Sequence, residues 1–388
     1  MDGVGVTFKI AVDACSLYRP LTGVGRYTHE LCRELSQDLN TDVIFACGWR
    51  WQRDFPVPLN ADTRGRIEAI RAGLPGGQAL IYGVKALAYR ALARYHRPNV
   101  VFAPGFLIPP LAVPTVITVH DLSHIRFPET HPAERLRLFL KHLGKSIARA
   151  AAVLTISQFS ADEIVREFPD VRDRLHIIAP GVRDIFTPNG DPHESVSPLS
   201  LPNDSRPFFL FLATLEPRKN LGRLLAAYAQ LPARMRAEYR LVIAGQIGWK
   251  MDDLAGTLQQ MVRAGEVQLL GHVRDQDLPG LYRRASALVY PSLYEGFGLP
   301  PLEAMACGCV TVVATTSAIP EACGDAGLYV DPWDTEGLAA AMIQIVEDTA
   351  LRATLRERGF QRARLFRWEE AGRQLRTVLV QAGELGVR

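Results

Sequence analysis

A chain of 388 residues is longer than one typical domain, so two are expected. Its 48% hydrophobic and 22% charged content is that of a globular protein, not of a disordered or fibrous one. Its 44 basic and 41 acidic side chains leave a formal charge of +3, which does not point to a nucleic-acid binder. The cysteines at 15, 32, 47, 307, 309 and 323 form no C-x-x-C pair and no zinc spacing, and read as buried free thiols. The opening residues do not read as a signal peptide and no apolar run reaches ~18 residues. A cytoplasmic protein without a membrane span is therefore expected.

Phe8–Asp13 reads as a first buried strand. The glycine-containing loop 17–25 follows, with Gly23 and Gly25 in it, and then a helix over 26–39 with Tyr27, Leu31 and Leu35 on one face and Thr22 suited to the N-cap. Strand, glycine loop, helix is the opening of a nucleotide-binding α/β unit. The dinucleotide fingerprint fails, because Thr28 stands where its third glycine belongs. Further strands are predicted over 42–46, 100–103, 115–119 and 153–157, with 49–80 irregular and helices over 79–95 and 132–150. The 115–119 strand runs into His120-Asp121, placing both at the carboxyl edge where parallel sheets bind ligands; a capping Asp beside a half-buried His is the structural alternative. Helix 132–150 carries Arg135, Arg137, Lys141, Lys145 and Arg149, a basic face that is either solvated or able to lie on an anionic membrane. Ser160 and Glu163 have capping-box spacing.

Residues 175–181 close a first domain over 1–187, and the Pro-, Ser-, Asn- and Asp-rich stretch at 188–206 reads as the linker. The second domain, 207–367, repeats the plan. Its first strand, 207–213, leads through Arg218 and Lys219 into a helix over 221–230. Two cations before a helix start are disfavoured by the helix dipole, so a negative group is expected there, and a diphosphate would serve. Strands over 239–245 and 268–273 follow. Asp275 or Asp277 is read as an N-cap before Leu278 and not as a D-x-D metal site. Strand 287–291 enters the turn Glu295-Gly296-Phe297-Gly298-Leu299, and a short helix is expected through 303–308, with Pro300 and Pro301 suited to its first turn, Glu303 near its start and Gly308 at its end. Glycines at that turn let backbone N–H groups approach a ligand, and a helix N-terminus favours an anion. Carboxylates on both sides suit a phosphate flanked by hydroxyl-rich sugars, the layout of a nucleotide-sugar. Pro320-Glu321 falls between the last strands, with its acid within reach of the site, and 368–385 is a terminal helix.

Glu295 and Glu303, with Gly-Phe-Gly-Leu-Pro between them, resemble the E-x7-E signature of retaining glycosyltransferases of the GT-B fold, in particular glycosyltransferase family 4. The resemblance covers nearly the whole chain. It implies an α/β architecture of two Rossmann-like domains with parallel sheets facing across a cleft, and a final helix, 368–388, crossing back to the first, acceptor-binding domain. It further implies His120 at the donor sugar, Gly23 and Gly25 at the diphosphate or acceptor, Lys219 and Arg218 at the diphosphate, and the backbone at Val273 near the nucleobase. Glu295, with N–H groups near Phe297 to Leu299, would hold the transferred sugar, and Glu303 the ribose. The usual Gly-Arg-Leu is here Ala213-Thr214-Leu215, so only Arg218 can supply an arginine. The reaction expected is metal- and cofactor-free hexosyl transfer with retention. The donor is expected to be GDP-mannose, with a GDP-rhamnose or UDP-hexose donor, or nucleotide-sugar epimerisation, as alternatives. The acceptor would be a glycan or lipid-linked glycan of surface polysaccharide assembly, and the inner-membrane surface a candidate partner.

Overall fold

The computed structural model describes residues 8–18, 23–47, 50–56, 77–107, 111–190, 206–250 and 252–385. Thr22 and most of the 188–206 stretch lie outside them. The first half runs β1 (Phe8–Asp13), α1 (Gly23–Ser36), β2 (Thr41–Cys47), β3 (Arg50–Gln52), α2 (Gly77–His96), β4 (Val100–Ala103), β5 (Thr115–Thr118), α3 (Ser123–Arg126), α4 (Ala133–Arg149), β6 (Ala152–Thr155), α5 (Gln158–Glu167) and β7 (Leu175–Ile177). The second runs β8 (Phe208–Leu212), α6 (Leu221–Ala229), α7 (Ala233–Glu238), β9 (Arg240–Ala244), α8 (Asp252–Arg263), β10 (Val267–Gly271), α9 (Leu278–Arg284), β11 (Ala287–Tyr290), α10 (Leu299–Ala306), β12 (Thr311–Ala314), α11 (Ile319–Cys323) and β13 (Gly327–Val330). Helices α12 (Thr335–Glu347), α13 (Thr349–Ala363) and α14 (Trp368–Leu385) complete it.

The strands are short, nearly continuous apolar runs because helices cover both faces of each sheet. Phe208 to Phe211 and Ala287 to Tyr290 are all buried. Sheet order is β3-β2-β1-β4-β5-β6-β7 in one half and β10-β9-β8-β11-β12-β13 in the other. All pairings are parallel except β2 with the edge strand β3, which lies in a stretch predicted to be irregular. Strand order reverses at β1/β4 and at β8/β11, and such switch points open a crevice at the carboxyl ends of the strands. Two parallel-sheet halves with these crevices turned toward one another make an α/β, GT-B arrangement.

Helix α14 follows the second sheet in sequence but packs on α1 and against β4 of the first. Leu375 and Leu379 share a core with Ile10 and Val100. The contact is close: a Cβ at Gly372 would lie 2.4 Å from the Glu34 Cβ.

The halves also meet along a polar seam. The Tyr294 hydroxyl accepts from the Leu122 N–H at 3.1 Å and donates to Glu163, whose other oxygen holds Arg126 at 2.7 Å. Ser160 Oγ donates to the Gly296 carbonyl at 3.4 Å. Glu321 does not reach a cavity as predicted. It lies in α11, and its carboxylate accepts the Gln158 and Phe159 N–H groups at 2.7 and 3.0 Å, capping α5 from the other half. The α5 N-cap is Ser157, which accepts from the Ser160 N–H, so the capping box predicted at Ser160 sits one cap too late. Replacing Tyr294 by Phe strands the buried Leu122 N–H and should cost about 1–3 kcal/mol. A lower melting temperature without loss of secondary structure, read by circular dichroism, checks this.

Candidate active site between the two halves

Burial decides the arrangement around Glu295. The 3-10 turn Pro217–Lys219 at the end of β8 brings Arg218 and Lys219 beside the turn that follows β11. Lys219 Nζ donates to both Glu295 oxygens at 2.6 and 2.8 Å, and the Tyr290 hydroxyl donates to one at 2.6 Å. Arg218 bridges Glu295 at 3.3 Å and Glu216 at 2.6 Å, and donates to the Tyr294 carbonyl. Lys219 is 9% exposed and Glu295 7%. Charges taken that far from water must be paired. Burial pushes the Glu295 carboxyl up, but Lys219 and Arg218 outweigh it and hold the group below its ordinary value. Burial, then Arg218, depresses Lys219, and Glu295 offsets part of this. The negative group expected beside the two cations is thus the protein's own Glu295 and Glu216.

Two cavities lie between the halves, and Glu216 and Arg218 of this cluster line one of them. The larger, about 410 Å³, lies at the β1/β4 switch point and is lined by Asp13, Pro104, His120, Asp121, Arg218 and Trp249, among others. His120 Nε2 lies 2.8 Å from the Pro104 carbonyl, and its ring meets Tyr27 edge-on at 5.0 Å. Burial lowers its pKa, so the ring is neutral at neutral pH. Of the two cluster cations, Arg218 and not Lys219 lines this cavity, with Arg135 beside it. The smaller cavity, about 160 Å³, is lined by Gly23, Arg26, Gly245, Val273, Leu299 and Glu303, among others. There the Tyr282 hydroxyl donates to Glu303 at 3.2 Å, while Arg26 Nη1 stands 3.7 Å from it. Arg26 also pairs with Asp275, which Arg183 holds at 2.9 Å. Burial raises the Glu303 pKa, and Arg26 and Arg183 offset this in part.

Several predicted site residues do other work. Gly25 is buried in α1, and Phe297 is buried against Phe366 with ring centroids 5.3 Å apart. Gly296 is glycine because the first half presses on it: a Cβ would sit 2.6 Å from the His120 carbonyl oxygen. Gly298, at φ +130°, is the N-cap of a helix that starts at Leu299, with Pro300 and Pro301 in its first turn as expected and Glu303 one turn in. Pro300 and Pro301 lack N–H groups, which leaves the N–H groups of Gly298 and Leu299 at that end. Asp277 precedes α9 without capping it, because its carboxylate holds Arg274 at 2.7 Å, and Asp275 is spent on Arg26 and Arg183. Arg26 was not singled out by sequence. Its place directly after Gly23-x-Gly25 was the available signal. The six cysteines are free thiols as expected, but Cys15 and Cys47 are only half-buried, with their sulfurs 2.7 Å apart.

Glu303 gives a pH test. A carboxyl whose folded pKa is raised contributes its stability below the unfolded value and loses it as pH rises through the folded one. Glu303→Gln should therefore melt higher than the parent at pH 8 and no higher near pH 4, where the parent is also neutral. Differential scanning fluorimetry across that range checks the sign.

The family model described as Glycosyltransferase Family 4 matches residues 21–186, and Glycosyl transferases group 1 matches residues 196–362. The chain is 36% identical to O-antigen chain mannosyltransferase B of Escherichia coli, across 92% of this chain and 95% of that protein. It is 32% identical to the serotype-specific mannosyltransferase WbdA of Escherichia coli, across 66% of this chain and 32% of that longer protein. Among solved structures it matches WaaG, a glycosyltransferase involved in lipopolysaccharide biosynthesis, at TM-score 0.70 and 16% identity over 95% of this chain and 99% of that one. It matches Anabaena HepE in complex with UDP and glucose at TM-score 0.69 and 18% identity over 97% and 100%. With both halves matched in order and a full-length relative above 30% identity, the chain belongs to the GT-B glycosyltransferases of glycosyltransferase family 4.

Proposed function

We propose that the protein transfers mannose from GDP-mannose, with retention at the anomeric carbon, to a glycan or lipid-linked glycan acceptor in surface polysaccharide assembly. The observation that carries this is the buried Lys219–Glu295–Arg218 cluster, whose Arg218 lines the larger of two cavities that are each lined by both halves. The mannosyltransferase relatives favour the sugar.

Glu303 would accept the ribose hydroxyls, with Val273 beside the nucleobase and Gly23 at the pocket rim. The Gly298 and Leu299 N–H groups, Arg218 and Lys219 would take the diphosphate. As the bond from the anomeric carbon to the diphosphate oxygen breaks, these groups neutralise the charge left on the phosphate, the service a metal gives in other enzymes. The acceptor oxygen bonds to the same face of that carbon and passes its proton to the leaving phosphate oxygen. His120 and Glu295 would orient the transferred sugar, Glu295 sharing Lys219 with the donor. No described helix is long and apolar enough to cross a membrane. Helix α4 exposes Arg137, Leu140, Lys141, Lys145 and Arg149, a face suited to docking on anionic lipid near a lipid-linked acceptor.

The test is a thermal-shift panel of GDP-mannose, GDP-rhamnose, UDP-glucose and ADP-glucose, followed by transfer assays in EDTA with the product anomer read by NMR. GDP-mannose should stabilise most, EDTA should change nothing, and the product should keep the donor's configuration. Lys219→Ala should lower transfer by about a hundredfold or more. Stabilisation by UDP-glucose alone would reassign the donor, and undiminished turnover in Lys219→Ala would remove that residue from the mechanism.

A further inference from the structure

The far end of the larger cavity holds polar groups that donor binding leaves unused. The His124 and His131 rings stack at 3.9 Å between centroids, and Phe139 stacks on the other face of His124 at 4.0 Å. His131 is 4% exposed and His124 8%. Yet His131 Nδ1 and Nε2 and His124 Nδ1 have no hydrogen-bond partner among the described residues. Stranding three ring nitrogens costs stability, and such atoms in a cavity wall mark a place where a ligand completes the bonds. Trp249 faces them from the second half. It is tied across the cleft by its Nε1–H to the Thr130 carbonyl at 2.6 Å, and Arg135 lies over its ring at 5.4 Å.

We propose that His124, His131 and Trp249 form the subsite that seats the terminal sugar of the acceptor, and that this subsite selects an uncharged pyranose. The identification as acceptor rests on the transfer reaction proposed above. A neutral imidazole offers one donor and one acceptor, which matches a hydroxyl that both gives and takes. Burial lowers the His124 pKa to about 3, with His131 and Arg135 adding to it, and burial and Arg218 lower that of His131, so both rings stay neutral. The charged groups lining the cavity disfavour an anionic sugar: Asp13, Asp121 and Glu216 stand against Arg135 and Arg218, and Arg218 already serves Glu216 and Glu295. The aromatic faces of Phe106 and Phe139 suit the C–H face of a pyranose. Because Trp249 comes from the other half, the seat is complete only when the halves are together.

Ligand-observed NMR on the full chain tests this with two probes, methyl α-mannopyranoside and the methyl glycoside of glucuronic acid, while calorimetry follows the Kd of GDP. The neutral glycoside should show saturation transfer and the uronate should not. His131→Ala and Trp249→Ala should weaken the glycoside about tenfold, the loss of one or two polar contacts, with GDP affinity unchanged. Glu347→Ala, on the exposed side of α12, should leave both unchanged. In turnover, His131→Ala should raise the acceptor KM about tenfold while donor hydrolysis without acceptor stays at the parent rate. Equal binding of the uronate, no binding of the glycoside to the parent, or His131→Ala and Trp249→Ala proteins that bind it normally would each overturn the proposal. A parent that binds the glycoside but transfers no sugar would overturn the reaction and leave the subsite standing.

Discussion

The carboxylate of Glu295 is the constraint around which the cleft is built. It sits almost fully out of water, and so must the Lys219 ammonium and Arg218 guanidinium that neutralise it. Removing one member of a buried pair leaves the other uncompensated, typically at a cost of about 3–5 kcal/mol. The turn before α6 and the turn before α10 are therefore bound to each other electrostatically as well as by their neighbouring strands. Leu293 N–H to the Arg218 carbonyl, at 2.9 Å, completes the tie. Held in this way the two cations are fixed in place beforehand, which is how preorganised sites stabilise developing charge.

The same logic explains the smaller cavity. Arg26 reaches from α1 toward Glu303 and Asp275, so this cavity carries a first-half cation over a second-half acid. Among the described residues, the cation nearest the Glu303 carboxylate is 3.7 Å away and only Tyr282 holds it at hydrogen-bond distance. That is a loosely held acceptor, unlike Glu295. One acid of the signature is structurally committed, and the other is available.

Much of the architecture was legible because it depends on local pattern. The apolar runs became strands within a residue or two, and Trp368 to Leu385 emerged as the terminal helix at its predicted limits. His120, Arg218 and Glu303 were found by position at strand ends and around the turn, and all three line cavities. Partner choice was not legible. Nothing in sequence says that Lys219 turns inward to Glu295 while Arg218 faces the cavity, since that depends on packing between segments 76 residues apart. Glu321 as a cap for α5, and Trp249 as a wall of the first half's cavity, are contacts between halves and leave no periodic trace. The start of α10 was legible too, because Pro300 and Pro301 fit the first turn of a helix, where they lie.

Helix α14 carries a consequence for how the protein is made. Its Leu375, Val378 and Leu379 complete an apolar core whose other members include Ile10, Leu31 and Val100. During synthesis the first half leaves the ribosome with that flank bare, and it stays bare until residues 368–385 emerge after the whole of the second half. The amino-terminal half is thus the first translated and the last sealed, and ribosome-bound intermediates are where an exposed α1 face invites chaperones or aggregation.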